Sequence, residues 1–234
     1  MRQVPQYLIV GNGRVARHVC HYFSLLNIPV LTWNRSESFD LLHEKIQQVS
    51  HILLLISDGA IDSFIAAHLN HTSAICIHFS GSLFTEKAYG AHPLMTFSNA
   101  FYSLEQYQSI PFVIDENAPA LFSELPNPQV RLSSHLKARY HALCVLAGNF
   151  SCLLWQKLFS DFKDVLHLSP GIAHPFLKQQ MQNLIDQPEK ALTGPLVRGD
   201  HMTLKKNIDA LDGDPFQAIY NSFITCYHKM KETK

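Results

Sequence analysis

The chain has no run of like charges, no close cysteine pair and little charge of either sign. Only 16% of its residues are charged, and 19 Lys and Arg balance 19 Asp and Glu. Nucleic-acid and anionic-surface binders carry a basic patch or stripe, so neither nucleic acid nor a membrane is expected as a partner. No apolar stretch approaches the roughly 20 residues of a spanning helix, so none is expected. The five cysteines (Cys20, Cys76, Cys144, Cys152 and Cys226) are scattered and odd in number. That pattern suits neither a disulfide framework nor a zinc site. It predicts buried free thiols in a reducing compartment, hence the cytoplasm. His68 and His71 lie close together without accompanying carboxylates or cysteines, so no metal site is expected. The start, MRQVPQYLIV, has one charge, a short apolar run and no small-residue cleavage site; no secretory signal is expected.

What the chain does have is apolar periodicity: 47% of the residues are hydrophobic. In the first half, apolar runs (YLIV, PVLTW, HILLLIS, SAICIHF) alternate with helix-like segments, the second of them opened by Ser38 as a cap. PFVID and QVRLS follow as shorter strands. Strand and helix in alternation imply parallel βαβ units in a doubly wound sheet. Near residue 125 the texture breaks at SELPNPQV, and beyond it the chain reads as helix nearly throughout. Ser169-Pro170, Asp200 and Asp214-Pro215 mark helix starts. The predicted fold is therefore α/β: a Rossmann sheet over 1–130, followed by an all-α domain over 131–234.

The N-terminal YLIVGNGRVARHV places Gly11, Gly13 and Ala16 between a strand and a helix. That is the G-x-G-x-x-A form of the dinucleotide fingerprint, in which a helix N-terminus faces a pyrophosphate. Gly11, Asn12, Gly13, Arg14, Val15 and Ala16 are thus candidate cofactor residues. After the second strand, where an NAD site expects Asp or Glu, the chain reads Asn34, Arg35, Ser36. A guanidinium with small polar donors suits a 2′-phosphate, which favours NADP over NAD, although Glu37 follows closely. Ser57 and Asp58 end the third strand, and Ser80 and Gly81 end the fourth, on the side where open α/β sheets bind ligands. Asp58 equally fits as the cap of the next helix, and Ser80-Gly81 as a plain turn.

Two further stretches, GAHPLMTF (90–97) and TGPLVRGD (193–200), carry a resemblance together with the glycine turn. Over nearly the whole chain they resemble a bacterial family of Rossmann-like proteins, commonly labelled NADP oxidoreductases, with a helical C-terminal domain of unassigned function. More distantly the design is similar to pyrroline-5-carboxylate reductase, deazaflavin-dependent NADP reductases and the 6-phosphogluconate dehydrogenase-like group. The resemblance implies NADP rather than NAD or a deazaflavin, and a homodimer built through the helical domain. It implies no substrate.

Hydride transfer belongs to the cofactor, so the protein must orient a substrate and handle a proton. Among fourteen histidines, His92 is best placed, after the fourth strand and stiffened by Pro93. On the long helical segment, His141 and Asn149 are eight residues apart, about 80° around an ideal helix and roughly 12 Å along it. The related dehydrogenases carry a lysine four residues before their asparagine; here that position is Val145, and Lys137 reads as solvated. Thr193, Gly194 and Arg198 could receive a small anionic substrate in a cleft between the domains, or Arg198 could pair with Asp200 or Asp212. A non-catalytic dinucleotide-binding protein, and a structural dimer with a vestigial site, stay open beside the oxidoreductase reading.

Overall fold

The computed structural model describes residues 7–232; most of the start read for a signal, residues 1–6, lies outside them. Seven strands form one sheet: β1 (Tyr7–Val10), β2 (Val30–Trp33), β3 (His51–Leu54), β4 (Ile75–His78), β5 (Tyr89–Pro93), β6 (Phe112–Asp115) and β7 (Gln129–Leu132), in the order β2-β1-β3-β4-β5-β6-β7. The first five are parallel; β6 runs antiparallel to β5, and β7 parallels β6. The fold is the expected α/β sheet followed by helices, with its last two strands reversed. β1 is buried on both faces, as a continuous apolar run requires. Its alternate residues feed two cores. Tyr7 and Ile9 pack towards α1 (Arg14–Leu25) and α4 (Leu104–Ser109), through Ala16, Tyr22 and Tyr107. Leu8 and Val10 pack towards α2 (Phe39–Ile46) and α3 (Asp58–His68), through Leu42 and Ile61.

Local chemistry starts these helices. The Ser38 hydroxyl accepts from Leu41 N at 3.3 Å at the head of α2. Ser103 and Gln106 form a reciprocal capping box on α4. Ser57, not Asp58, holds the cap position of α3.

After β7 the chain runs helically from Ser134 to Asp164: α5 (Lys137–Cys144), a π-helical segment (Val145–Phe150) and α6 (Ser151–Asp164). This 31-residue stretch holds an 18-residue window with a mean hydropathy of 1.4, long and apolar enough by composition alone to cross a membrane.

The chain divides into two compact units, 1–154 and 155–234, later than the boundary near 130 read from sequence. The Pro-rich break merely connects strands, since β7 still pairs with β6 and α5 is tied to the same sheet. The second unit holds the end of α6 and then α7 (His174–Asp186), α8 (Pro195–Arg198), α9 (His201–Ala210) and α10 (Phe216–Glu232). Trp155 meets Phe176 edge-on at 5.4 Å, and Lys157 pairs with Asp161 and with Asp214. Asp214 also caps α10, and Asp200 caps α9 through Thr203, both as expected. The five cysteines are free, but only Cys76 is buried, its thiol raised to about 11 by burial; Cys152 and Cys226 are exposed.

Candidate functional site

The glycine turn is built for close approach. Gly11 sits at φ +127°, and a Cβ there would overlap the carbonyl oxygen of Leu55. Gly13 holds the cap position of α1 without a side-chain cap, and nothing lies within 4 Å of where its Cβ would be. The first amides of this twelve-residue helix therefore face open space, as an anion cradle needs. Asn12 is exposed beside them, and Ala16 is buried against the sheet, as the third fingerprint position demands.

After β2, Asn34 folds back on its own turn, its side-chain oxygen accepting from Ser36 N and Oγ at 3.1 and 2.7 Å. Glu37 accepts from the Asn34 amides and pairs with Lys45 at 2.6 Å, which holds its carboxyl below the usual range. Its charge is thus engaged locally. Arg35 is exposed, with no hydrogen bond or ion pair among the described residues.

At the far ends of β3 and β4, Ser80 Oγ donates to Asp58 at 2.6 Å and accepts from Leu83 N at 2.9 Å. Both residues are spent on joining the two strand ends. Gly81 makes room: a Cβ there would collide with the His141 ring and crowd His92. Ser57 is exposed next to them.

A cavity of about 860 Å³ opens among these elements, wholly within the first unit. Arg14 and Val15 from α1, His92 from β5, and His141 and Asn149 from the long helix line it together. Those five come from three segments far apart in sequence, so the sheet and helix bring His92 together with His141 and Asn149. Three details differ from the sequence reading. His92 lies on a strand, not a loop. The π-helical segment Val145–Phe150, which contains Asn149, breaks the ideal helical count. Lys137 is not solvated but 5% exposed, paired with Asp115 at 2.7 Å.

The sequence reading also missed Tyr140 and Cys144 on α5 and the wall Leu94–Phe97. Lys137, Tyr140, His141 and Cys144 recur at i, i+3, i+4 and i+7, one helical face, and that pattern was the available signal. The wall is pinned from α1: Arg14 donates to the Phe97 carbonyl at 3.3 Å, and buried His18 bridges the Ser98 carbonyl and the Tyr107 hydroxyl.

His92 Nδ1 and the Tyr140 hydroxyl are 2.8 Å apart, and the His141 ring stands edge-on to His92 at 5.7 Å. Burial, helped by His141 and Lys137 and opposed by Asp58, lowers His92 to about 4. Burial also raises the Tyr140 hydroxyl, as does Cys144 beside it. Both groups are neutral at pH 7. His92, expected from the sequence to handle a proton, therefore carries no proton to release at pH 7 beyond that of the neutral ring.

His78, fully buried on β4, is likewise lowered to about 4, chiefly by burial, and its Nε2 has no partner among the described residues. Both folded values lie below the ordinary 6.5. The unfolded chain therefore takes up these protons first as pH falls. Stability should be complete above pH 6.5 and decline towards pH 4, by up to about 1.4 kcal/mol per pH unit for each group. Thermal melts between pH 7 and 4.5 should show that slope, and His78→Leu should reduce it.

Thr193, Gly194 and Arg198 belong to the second unit. Gly194, at φ +92°, precedes the four-residue α8; Thr193 and Arg198 are exposed, and Arg198 makes no ion pair among the described residues, although it acts electrostatically on Asp200. None of the three lines the cavity. A second hollow of about 510 Å³ opens at the opening ends of β4 and β5, away from the glycine turn, on the side where such sheets do not bind ligands.

Comparison with known proteins fits this geometry. Residues 114–225 match the family described as a domain of unknown function, DUF2520. That stretch begins on β6 and carries Lys137, Tyr140, His141 and Asn149, so the DUF2520 part supplies one wall of the cavity. No curated protein matches the chain. Among solved structures, a putative NADP oxidoreductase from Bacteroides fragilis aligns with 97% of this chain and 100% of its own, at 18% identity and a TM-score of 0.76. A reductive aminase from Aspergillus terreus, in complex with NADPH and ethyl levulinate, covers 99% and 95% at 12% identity and 0.64. Pyrroline carboxylate reductase from Plasmodium falciparum, with NADP bound, covers 95% and 98% at 12% identity and 0.58. The chain shares their fold, and the resemblance read from its motifs agrees with them and with the DUF2520 match.

Proposed function

We propose that this DUF2520-containing chain is an NADP-dependent oxidoreductase that moves a hydride to or from a small substrate held in the cavity of the first unit. The observation that carries this is the glycine cradle opening beside a cavity shared by Arg14, His92 and Asn149. Gly11, Asn12, Gly13 and the head of α1 would hold the pyrophosphate, and Arg35 the 2′-phosphate. Bound there, the nicotinamide supplies the hydride. The NADP complexes among the solved relatives support this choice of cofactor.

The lining contains Leu94, Met95, Phe97, Leu143 and Val145 but no carboxylate, which favours a largely apolar carbonyl or imine compound. Neutral His92 cannot store a proton at pH 7. Receiving a hydrogen bond from Tyr140 on Nδ1, it keeps its hydrogen on Nε2 and offers that N–H as a hydrogen bond, not as a transferred proton, to the substrate heteroatom. Asn149 offers a second donor. The completing proton arrives from solvent or already on the substrate.

Calorimetric titration tests the reading. NADPH should bind tightly and NADH weakly. Arg35→Ala should weaken NADPH about 10- to 100-fold, the loss of one charge-assisted contact, and leave NADH unchanged. Failure of the wild-type protein to bind either dinucleotide would end this reading.

We further propose a homodimer. Leu143, Leu146, Phe150 and Leu153, all within one long helical run, are 57, 56, 50 and 45% exposed, an apolar surface that a second copy of this chain would cover.

A further inference from the structure

We propose that Lys137 is the positioning residue of this cavity: its pair with Asp115 seats the first turn of α5 so that Tyr140 and His141 meet His92. The inference rests on reading the cavity as the reactive site, but its structural part can be tested without turnover.

Lys137 opens α5, and Asp115 closes β6. One carboxylate oxygen takes the ammonium at 2.7 Å, and the other takes the amide of Gly90 on β5. His92 lies two residues beyond Gly90 on that strand, and Tyr140 and His141 lie one helical turn beyond Lys137. One buried pair therefore sets the register between the strand and the helix that carry the facing groups.

Two glycines complete the seat. A Cβ on Gly90 would collide with Lys137 Nζ, and one on Gly81 with the His141 ring. Each clears a slot for one side chain from the same helical face. Lys137 does not line the large cavity, so it acts through its neighbours and not on a substrate.

Its charge also reaches His92. The groups facing that imidazole are Tyr140, His141 and Lys137 from α5 and Asp58 from α3. Apart from burial, His141 and Lys137 oppose its protonation and Asp58 favours it.

The test uses full-length protein with 15N-labelled histidine, comparing wild type, Lys137→Met, Asp115→Asn and, as reference, Tyr140→Phe. The Nδ1 shift of His92 reports whether it still meets the Tyr140 hydroxyl. Lys137→Met and Asp115→Asn should each move that shift towards the Tyr140→Phe value. Lys137→Met should also raise the titration midpoint of His92. Turnover should fall about tenfold or more through misplacement, with NADPH affinity unchanged within twofold. If folded Lys137→Met keeps the wild-type Nδ1 shift, the proposal is overturned. Should Lys137→Met fail to fold, Asp115→Asn, which keeps size and shape, decides by the same criterion. Loss of the shift in a protein that binds no NADPH would uphold the seat and defeat only the redox reading.

Discussion

Gly11→Ala should cost the protein several kcal/mol and abolish dinucleotide binding. Two effects coincide at this position. The backbone sits at φ +127°, where an L side chain is strained by about 1–3 kcal/mol, and the new methyl would overlap the Leu55 carbonyl. Neither side can yield cheaply. Gly11 N donates to the Trp33 carbonyl, and Leu55 N to the Val10 carbonyl, each at 2.8 Å, so relaxation must break the junction of β1 with its neighbours β2 and β3. Against a total stability of about 5–15 kcal/mol, a large fall in melting temperature is expected. Gly13→Ala is the control. Its backbone is ordinary, at φ −73°, and its Cβ would meet nothing within 4 Å. Stability should hold within about 1 kcal/mol, while dinucleotide affinity falls because the methyl occupies the cradle. Paired melts and titrations separate the two effects; equal melting temperatures for both variants would refute the account of the turn.

A charge in the exposed apolar surface of the long helical run should convert a dimer into a monomer. Leu143, Leu146, Phe150 and Leu153 lie close to half exposed or more, so covering each contributes about half of the 1.5–3 kcal/mol of a full burial, roughly 1 kcal/mol. In Leu146→Glu with Phe150→Glu, association would bury two carboxylates without partners in each copy. Light scattering at micromolar concentration should give twice the 26.5 kDa chain mass for wild type and the single mass for the variant. A wild-type monomer would remove the dimer proposal. The pair lies away from the Lys137–Asp115 ion pair, so the melting temperature of the monomeric variant should still report an intact sheet.

Short-range features were legible in the sequence because their physics is short-range. Gly11 takes up a positive φ within its own turn, and Ser38, Asp200 and Asp214 satisfy amides two or three residues away. The apolar runs of β1, β3 and β4 announce strands covered on both faces. β5 was not legible: Tyr-Gly-Ala-His-Pro has no β-branched residue, and it is extended because β4 and β6 pair with it on either side. Glu37 looked like an obstacle to NADP until Lys45, eight residues on, was seen to engage it.

By itself, the sequence determined the class of the sheet, the glycine turn and the arginine behind β2, since each depends on neighbours within one turn or one strand. The tertiary structure alone decided that Lys137 is buried, that His92 is neutral and bonded to Tyr140, and that His141 on α5 shares a cavity with Asn149 in the π-helical segment. Those outcomes depend on Asp115, 22 residues before Lys137, and on Tyr140, 48 residues after His92. Burial and charge act through space, and chain distance carries no record of either.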